Sequence, residues 1–122
     1  MHEIDLASNK GVIKKVIRVG VNDGEDSIPL PGQEVVVEYE ARLENGVVID
    51  SSAIWKEKNK EENFKLIVGM GNVIDGYDMG LMSMRLGEKC DLFIQSKYAF
   101  GAEGRPPRIP PNAPVIFRVE LL

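Results

Sequence analysis

Residues able to do covalent chemistry are few and far apart in this chain. His2 is the only histidine, so no Ser/His or Cys/His pair can form around the core. Cys90 is the only cysteine, which excludes an internal disulfide. It alternates with Leu92 and Ile94 and reads as a buried small hydrophobe rather than a reactive thiol. No cluster has metal-ligand spacing, and neither a metal nor a cofactor is expected. Gly69, Gly71 and Gly76 resemble a dinucleotide loop, but the last gap is too long for G-x-G-x-x-G, and no parallel βαβ pattern surrounds them. Glycoside chemistry needs two inward carboxylates, and Asp50 is the only acid that the pattern turns inward. What remains is an apolar, aromatic set: Tyr39, Phe64, Tyr77, Phe100 and Phe117, with Asp50 as its one charge. Composition alone leaves open whether that set is a binding pocket or simply core.

Two elements must position it. In Gly71–Leu81, Ile74, Tyr77 and Leu81 recur at helical spacing, with Met84 one turn further on. Asn72 suits the N-cap, Asp75 and Asp78 suit the positive end of the helix dipole, and Gly87 is placed as a stop. One short helix in a background of strands is stable only if a sheet wraps its apolar face. Its first turn offers free backbone N–H donors beside Tyr77.

The second element is a hairpin. Along Gln33–Leu43, Val35, Val37, Tyr39, Ala41 and Leu43 share one face, and Glu38, Glu40 and Arg42 the other. Asn45-Gly46 signals a two-residue loop, after which Val47-Val48-Ile49-Asp50 returns. That register sets Ala41 opposite Asp50, with Tyr39 one diagonal step away, about 7–8 Å and within reach of a Tyr side chain. The Tyr39 hydroxyl is therefore expected beside the Asp50 carboxylate. Ile49 cannot also point inward unless the strand ends or bulges there.

Elsewhere, residues 1–11 are polar and mixed and read as a flexible N-terminal arm. Val12–Val19 is an imperfectly alternating strand, read as an edge, with Lys14, Lys15 and Arg18 on a solvated face. Asn22-Asp23-Gly24 signals a turn. Trp55–Asn63 is a charged insertion whose like charges at i,i+4 (Glu57 with Glu61, Lys56 with Lys60) disfavour a helix, so a loop is expected. Phe64–Val68, the run around Cys90–Ile94 and Val115–Leu121 read as strands. Ser96–Pro114 is one long loop with five of the seven prolines, read as a rigid pocket closure rather than a polyproline ligand. About five strands, one helix and one long loop result. The 122 residues suit one domain, with 43% hydrophobic and 28% charged residues typical of a globular chain. A net charge of −4 without a long basic run argues against nucleic acid. Met1–Asp5 is acidic and lacks an apolar stretch and no run has membrane-spanning length, so neither a secretory leader nor membrane association is expected and the cytoplasm is the default location.

Read together, Val36-Val37-Glu38-Tyr39, Asp50-Ser51-Ser52, Phe64-Lys65-Leu66, Gly69–Gly76, Met84–Lys89, Tyr98-Ala99-Phe100-Gly101, Ile109–Ala113 and Phe117–Leu122 closely resemble the FKBP family, prolyl isomerases that bind macrolide immunosuppressants. The match runs in order from about Gly11 to the last residue. It implies an isomerase domain over 12–122 of mostly β, α+β class: an antiparallel five- to six-stranded half-barrel wrapped around one short helix.

The resemblance also implies a site. Tyr39, Ile49, Asp50, Phe64, Asn72, Val73, Ile74, Tyr77, Phe100, Ile109 and Phe117 fall on binding positions, and Arg105 lies in the flap near the rim. Of these, Tyr39, Asp50, Ile74 and Phe100 fall on the positions tied to catalysis, with Ile74 supplying a backbone N–H to a ligand carbonyl. Tyr77 stands where the best-known members carry Trp. Phe100 stands where a Tyr hydroxyl usually donates to the ligand's amide carbonyl, and Ile49 where an aromatic is common. The implied activity is isomerisation of X-Pro bonds in proline-containing peptides and proteins by a monomer that needs no metal and binds tacrolimus and rapamycin. The rival reading is an FKBP-like binding module with little turnover.

Overall fold

A computed structural model describes residues 3–20 and 28–122. Among these residues, seven strands form one antiparallel sheet: β1 (Glu3–Asp5), β2 (Val12–Arg18), β3 (Glu34–Leu43), β4 (Val48–Ser51), β5 (Phe64–Ile67), β6 (Lys89–Ile94) and β7 (Val115–Leu121). The order is β1-β2-β6-β7-β3-β4, with β5 also on β3. Two helices accompany them, α1 (Ser52–Asn59) and α2 (Asp75–Leu81). The alternation read from the sequence sets the buried face: Val37, Tyr39, Ala41 and Leu43 of β3, Cys90, Leu92 and Ile94 of β6, and Val115, Phe117, Val119 and Leu121 of β7 are all buried. Against that face lie Tyr77 and Leu81 of α2, followed by Met84.

Helix α2 can lie this close because it carries Gly76 and Gly80, four residues apart and so on one face. A Cβ at Gly76 would fall 2.4 Å from Ile94 Cγ2, and one at Gly80 2.3 Å from Leu92 Cδ1. The glycines weaken the helix intrinsically but let its backbone rest on β6.

Several expectations need correction. The flexible arm is not free from Glu3 onward: Glu3–Asp5 pair with Ile13–Lys15, and Leu6 N donates to Val12 O. β2 is consequently an inner strand rather than an edge. Lys14 is buried, not solvated; its Nζ meets Glu88 Oε2 at 2.9 Å and Ser83 O at 3.0 Å, so the charge enters the interior already paired. The insertion begins as a helix rather than a loop. Ser51 caps α1 by accepting from Ile54 N, and Lys60 ends it in the left-handed region at φ 58°. The repulsive pairs that argued against a helix never form, because Lys60 and Glu61 lie beyond its end. His2 and the turn at Asn22-Asp23-Gly24 lie outside the described residues.

Candidate functional site

The site starts on β3. β4 pairs with residues 40–42 of β3 and β5 with residues 34–37, on the same flank, which leaves a gap at Tyr39. Ser52 fills it: its Oγ accepts from Tyr39 N at 3.0 Å and donates to Tyr39 O at 3.3 Å. A side-chain hydroxyl thus stands in for the missing strand and satisfies both backbone groups. Tyr39 is held from behind while its ring crosses the inner face.

The Tyr39 hydroxyl donates to Asp50 Oδ2 at 2.9 Å, and Asp50 Oδ1 accepts from Ser51 N at 2.8 Å. Ala41 does pair with Asp50, as the hairpin register predicts, but by a different route. The loop has three residues, not two: Leu43 N donates to Val47 O, Gly46 N donates to Leu43 O, and Gly46 takes φ +91°. That shifts the register by one residue. A bulge at Ile49, between the pairs Arg42–Val48 and Ala41–Asp50, shifts it back. The extra residue also lets Ile49 bury its side chain, at 6% exposure, next to an Asp50 that faces the cavity. Burial and the Asp50 hydrogen bond both raise the Tyr39 pKa, so the phenol remains a donor throughout the neutral range.

Helix α2 begins later than expected. Ile74, not Asn72, is its N-cap, extended at φ −59° and ψ 147°, and its carbonyl accepts from Tyr77 N and Asp78 N. Asn72 makes no cap bond; the preceding loop is tied instead by Asp78, whose buried Oδ1 accepts from Gly69 N at 2.7 Å. Asp50 is therefore not the only inward acid, but Asp78 is spent on that loop. As N-cap, Ile74 has an N–H that precedes the helix's own ladder, and the residue lines the cavity.

The aromatic residues form one connected cluster. Tyr39 lies 5.0 Å from Phe64, 5.7 Å from Tyr77 and 6.1 Å from Phe117 between ring centroids, and Tyr77 lies 4.7 Å from Phe117. These offset and edge-on separations are the favourable ones. They bound a cavity of about 550 Å³ with Asp50, Asn72, Val73, Ile74, Phe100 and Arg105. A neighbouring cavity of about 390 Å³ shares Asp50, Phe100, Arg105 and Phe117 and adds Ile49, Arg108 and Ile109. The structure thus brings all the sequence-predicted site residues to two adjoining cavities. The long loop closes the rim through reciprocal backbone bonds between Arg105 and Ile109, with Arg108 donating to Ile49 O.

Sequence reasoning missed Trp55, Gly71 and Arg108. Trp55 lines the larger cavity and stands edge-on to Phe64 at 5.0 Å. Ser51, a residue type favoured at the N-cap, is the local signal for the helix that carries it. Tyr77 is 3% exposed, and its hydroxyl has no hydrogen-bond partner among the described residues. Burial first, then the nearby Tyr39 and Asp50, push its pKa well above the ordinary value. Burial likewise raises the Cys90 thiol to about 12, consistent with an inert thiol.

No helix among the described residues is long and apolar enough to cross a membrane. Comparison with known proteins places these features in a family. A model of the FKBP-type peptidyl-prolyl cis-trans isomerase family matches residues 25–122. FK506-binding protein 1 of Rhizopus delemar is 41% identical over 112 residues, covering 92% of this chain and 96% of that protein. FK506-binding protein 59 of Drosophila melanogaster is 40% identical over 121 residues, 99% of this chain but 26% of that protein. The chain thus spans about a quarter of the length of some curated relatives. The crystal structure of the three FKBP domains of wheat FKBP73 superposes with a TM-score of 0.83 at 30% identity, covering 100% of this chain and 48% of that one. With its mostly antiparallel sheet, its short helix under an aromatic pocket and these matches, the chain belongs to the FKBP-type peptidyl-prolyl cis-trans isomerase family.

Proposed function

We propose that this chain catalyses rotation about X-Pro peptide bonds in peptides and proteins, without a covalent intermediate. The carrying observation is the connected cluster Phe64–Tyr39–Tyr77–Phe117 around a cavity whose one carboxylate, Asp50, is held by the Tyr39 hydroxyl. Rotation is opposed by a barrier of about 18–20 kcal/mol that comes from amide resonance, which separates charge. A dry apolar pocket disfavours that charge separation relative to the twisted amide. A pocket shaped for the twisted geometry lowers the barrier further, because it binds the transition state better than either planar isomer. Tyr77 seats the prolyl ring, Phe64, Val73 and Phe117 form its walls, Ile74 N–H holds the substrate carbonyl, and Asp50 makes the polar contact at the imide. Neither metal nor thiol takes part.

The same pocket accepts tacrolimus and rapamycin, a reading supported by its apolar walls and by relatives named as FK506-binding proteins. The catalytic unit spans residues 12–122 and works as a monomer in the cytoplasm, with β1 adding an edge to its sheet. A binding module with little turnover is the second reading, favoured by Phe100, which brings no hydroxyl to the cavity. A protease-free isomerisation assay, run beside calorimetric titration of the same peptide, separates the two. Catalysis predicts acceleration and weak binding; binding without acceleration identifies the module.

A further inference from the structure

We propose that the flap arginines, Arg105 and Arg108, form a subsite for an anionic side chain within two residues of the substrate proline. This selects acidic or phosphorylated X-Pro segments, and it rests on the isomerase reading above. The argument begins with pairing. Arg18, Arg42 and Arg118 each meet a carboxylate, of Glu120, Glu40 and Asp91 respectively. Arg105 and Arg108 form no ion pair among the described residues, although the chain carries a net charge of −4. Arg105 and Arg108, at the mouth of the pocket, meet no carboxylate among the described residues.

Their setting is built rather than loose. Arg105 N donates to Ile109 O at 2.9 Å and Ile109 N to Arg105 O at 3.0 Å, so both arginines ride on a closed turn. Buried Ile109 anchors that turn. The Arg105 guanidinium lies over the Phe100 ring, 5.3 Å from its centroid, and Arg108 donates to Ile49 O. Each arginine is thus oriented by one neutral contact, and each retains further N–H donors. Both line the smaller cavity, which opens beside the aromatic floor where the prolyl ring sits. Among the described residues, Asp50 is the only carboxylate lining either cavity, and its oxygens are engaged by Tyr39 and Ser51 N. A carboxylate or phosphate entering there meets two fork-shaped cations, the geometry guanidinium groups recognise best.

The test is a protease-free isomerisation assay on Leu-Pro peptides carrying Glu, phosphoserine, Gln or Lys at each of the two positions before Leu and after Pro. It is run at low salt and in 0.5 M NaCl, on the parent and on the double variant Arg105→Gln/Arg108→Gln. At one or more positions the Glu peptide should exceed the Gln peptide in kcat/KM by about two- to fivefold at low salt, with Lys below both. Phosphoserine, which carries about −1.5 to −2 charge at pH 7, should exceed Glu at the same position. The Glu/Gln ratio should fall toward one in high salt and in the double variant. The readout is a ratio, so a general loss of rate through the flap leaves it unmoved. A parent ratio of one at every position, or a ratio that survives the double substitution, overturns the proposal. If no peptide is turned over, the isomerase reading has failed, and calorimetric affinities for the same Glu and Gln peptides still decide the subsite.

Discussion

Ala41 faces Asp50 across the β3–β4 ladder, and one diagonal step along β3 the Tyr39 hydroxyl donates to Asp50 Oδ2 at 2.9 Å. The carboxylate therefore reaches the cavity already oriented, with the donor that orients it itself tied to Ser52 through its backbone. Asp50→Val removes the carboxylate from the cavity lining and leaves the hairpin pairing in place. Ligand affinity should fall by about 1.5–3 kcal/mol, the usual worth of a hydrogen bond to a charged group, while the circular dichroism spectrum is preserved. Titration with a peptide ligand measures it. An unchanged affinity would mean that Asp50 makes no contact with the ligand.

Tyr77 carries a buried hydroxyl with no partner among the described residues. Such a group costs about 1–3 kcal/mol in desolvation, and Tyr77→Phe keeps the ring that packs on Phe117 at 4.7 Å. The variant should be more stable by an amount within that range, with ligand affinity little changed. Denaturant unfolding with the two m-values compared tests this. A less stable Phe variant would mean that the hydroxyl is bonded in solution.

Gly76 stands 2.4 Å, measured from an ideal Cβ, from Ile94 Cγ2. Ile94 is 1% exposed, and its branched Cβ leaves few rotamers to retreat into. Gly76→Ala gains some helix propensity but overpacks the helix on β6, a cost of about 1–3 kcal/mol. Net destabilisation is expected, together with weaker ligand binding, because the displaced turn carries Ile74 and Tyr77. A stabilised variant would show that α2 rides looser on the sheet than these distances state.

How much of this was legible in the sequence depended on periodicity. The inner faces of β3, β6 and β7 follow strict alternation, and with them Tyr39 and Phe117 were placed. The Tyr39–Asp50 contact was also legible, although a three-residue loop and a bulge, each shifting register by one, had to cancel. Alternation cannot announce a bulge, so it places Ile49 inward only if the strand bulges there. Trp55 was hidden because charge repulsion was counted over residues that the helix does not include. Lys14 was misread because a lysine can occupy an inward position only with a partner, and Glu88 lies 74 residues away in the chain. Local pattern carries no such information.

Phe100 lines both cavities and brings no hydroxyl to either. Phe100→Tyr adds one donor to a ring already in place, and a neutral hydrogen bond is worth about 0.5–1.5 kcal/mol. Rapamycin and tacrolimus should bind the variant about two- to twelve-fold more tightly. The isomerase rate should move less, since a donor that serves planar and twisted amides alike leaves the barrier where it was. Calorimetric titration of both forms decides it. Equal affinities would mean that Phe100 does not face the macrolide carbonyl or that water already satisfies it.

On the isomerase reading, the pocket itself lowers the barrier to X-Pro rotation. Exchange NMR on a short apolar X-Pro peptide reads that rotation directly, with no coupling enzyme. Uncatalysed exchange takes tens of seconds or more at 25 °C. Catalytic amounts of this chain should bring it into the sub-second range, and Asp50→Val should slow that catalysed rate. An exchange rate equal to that of the free peptide, at a chain concentration where the peptide is demonstrably bound, would contradict the account.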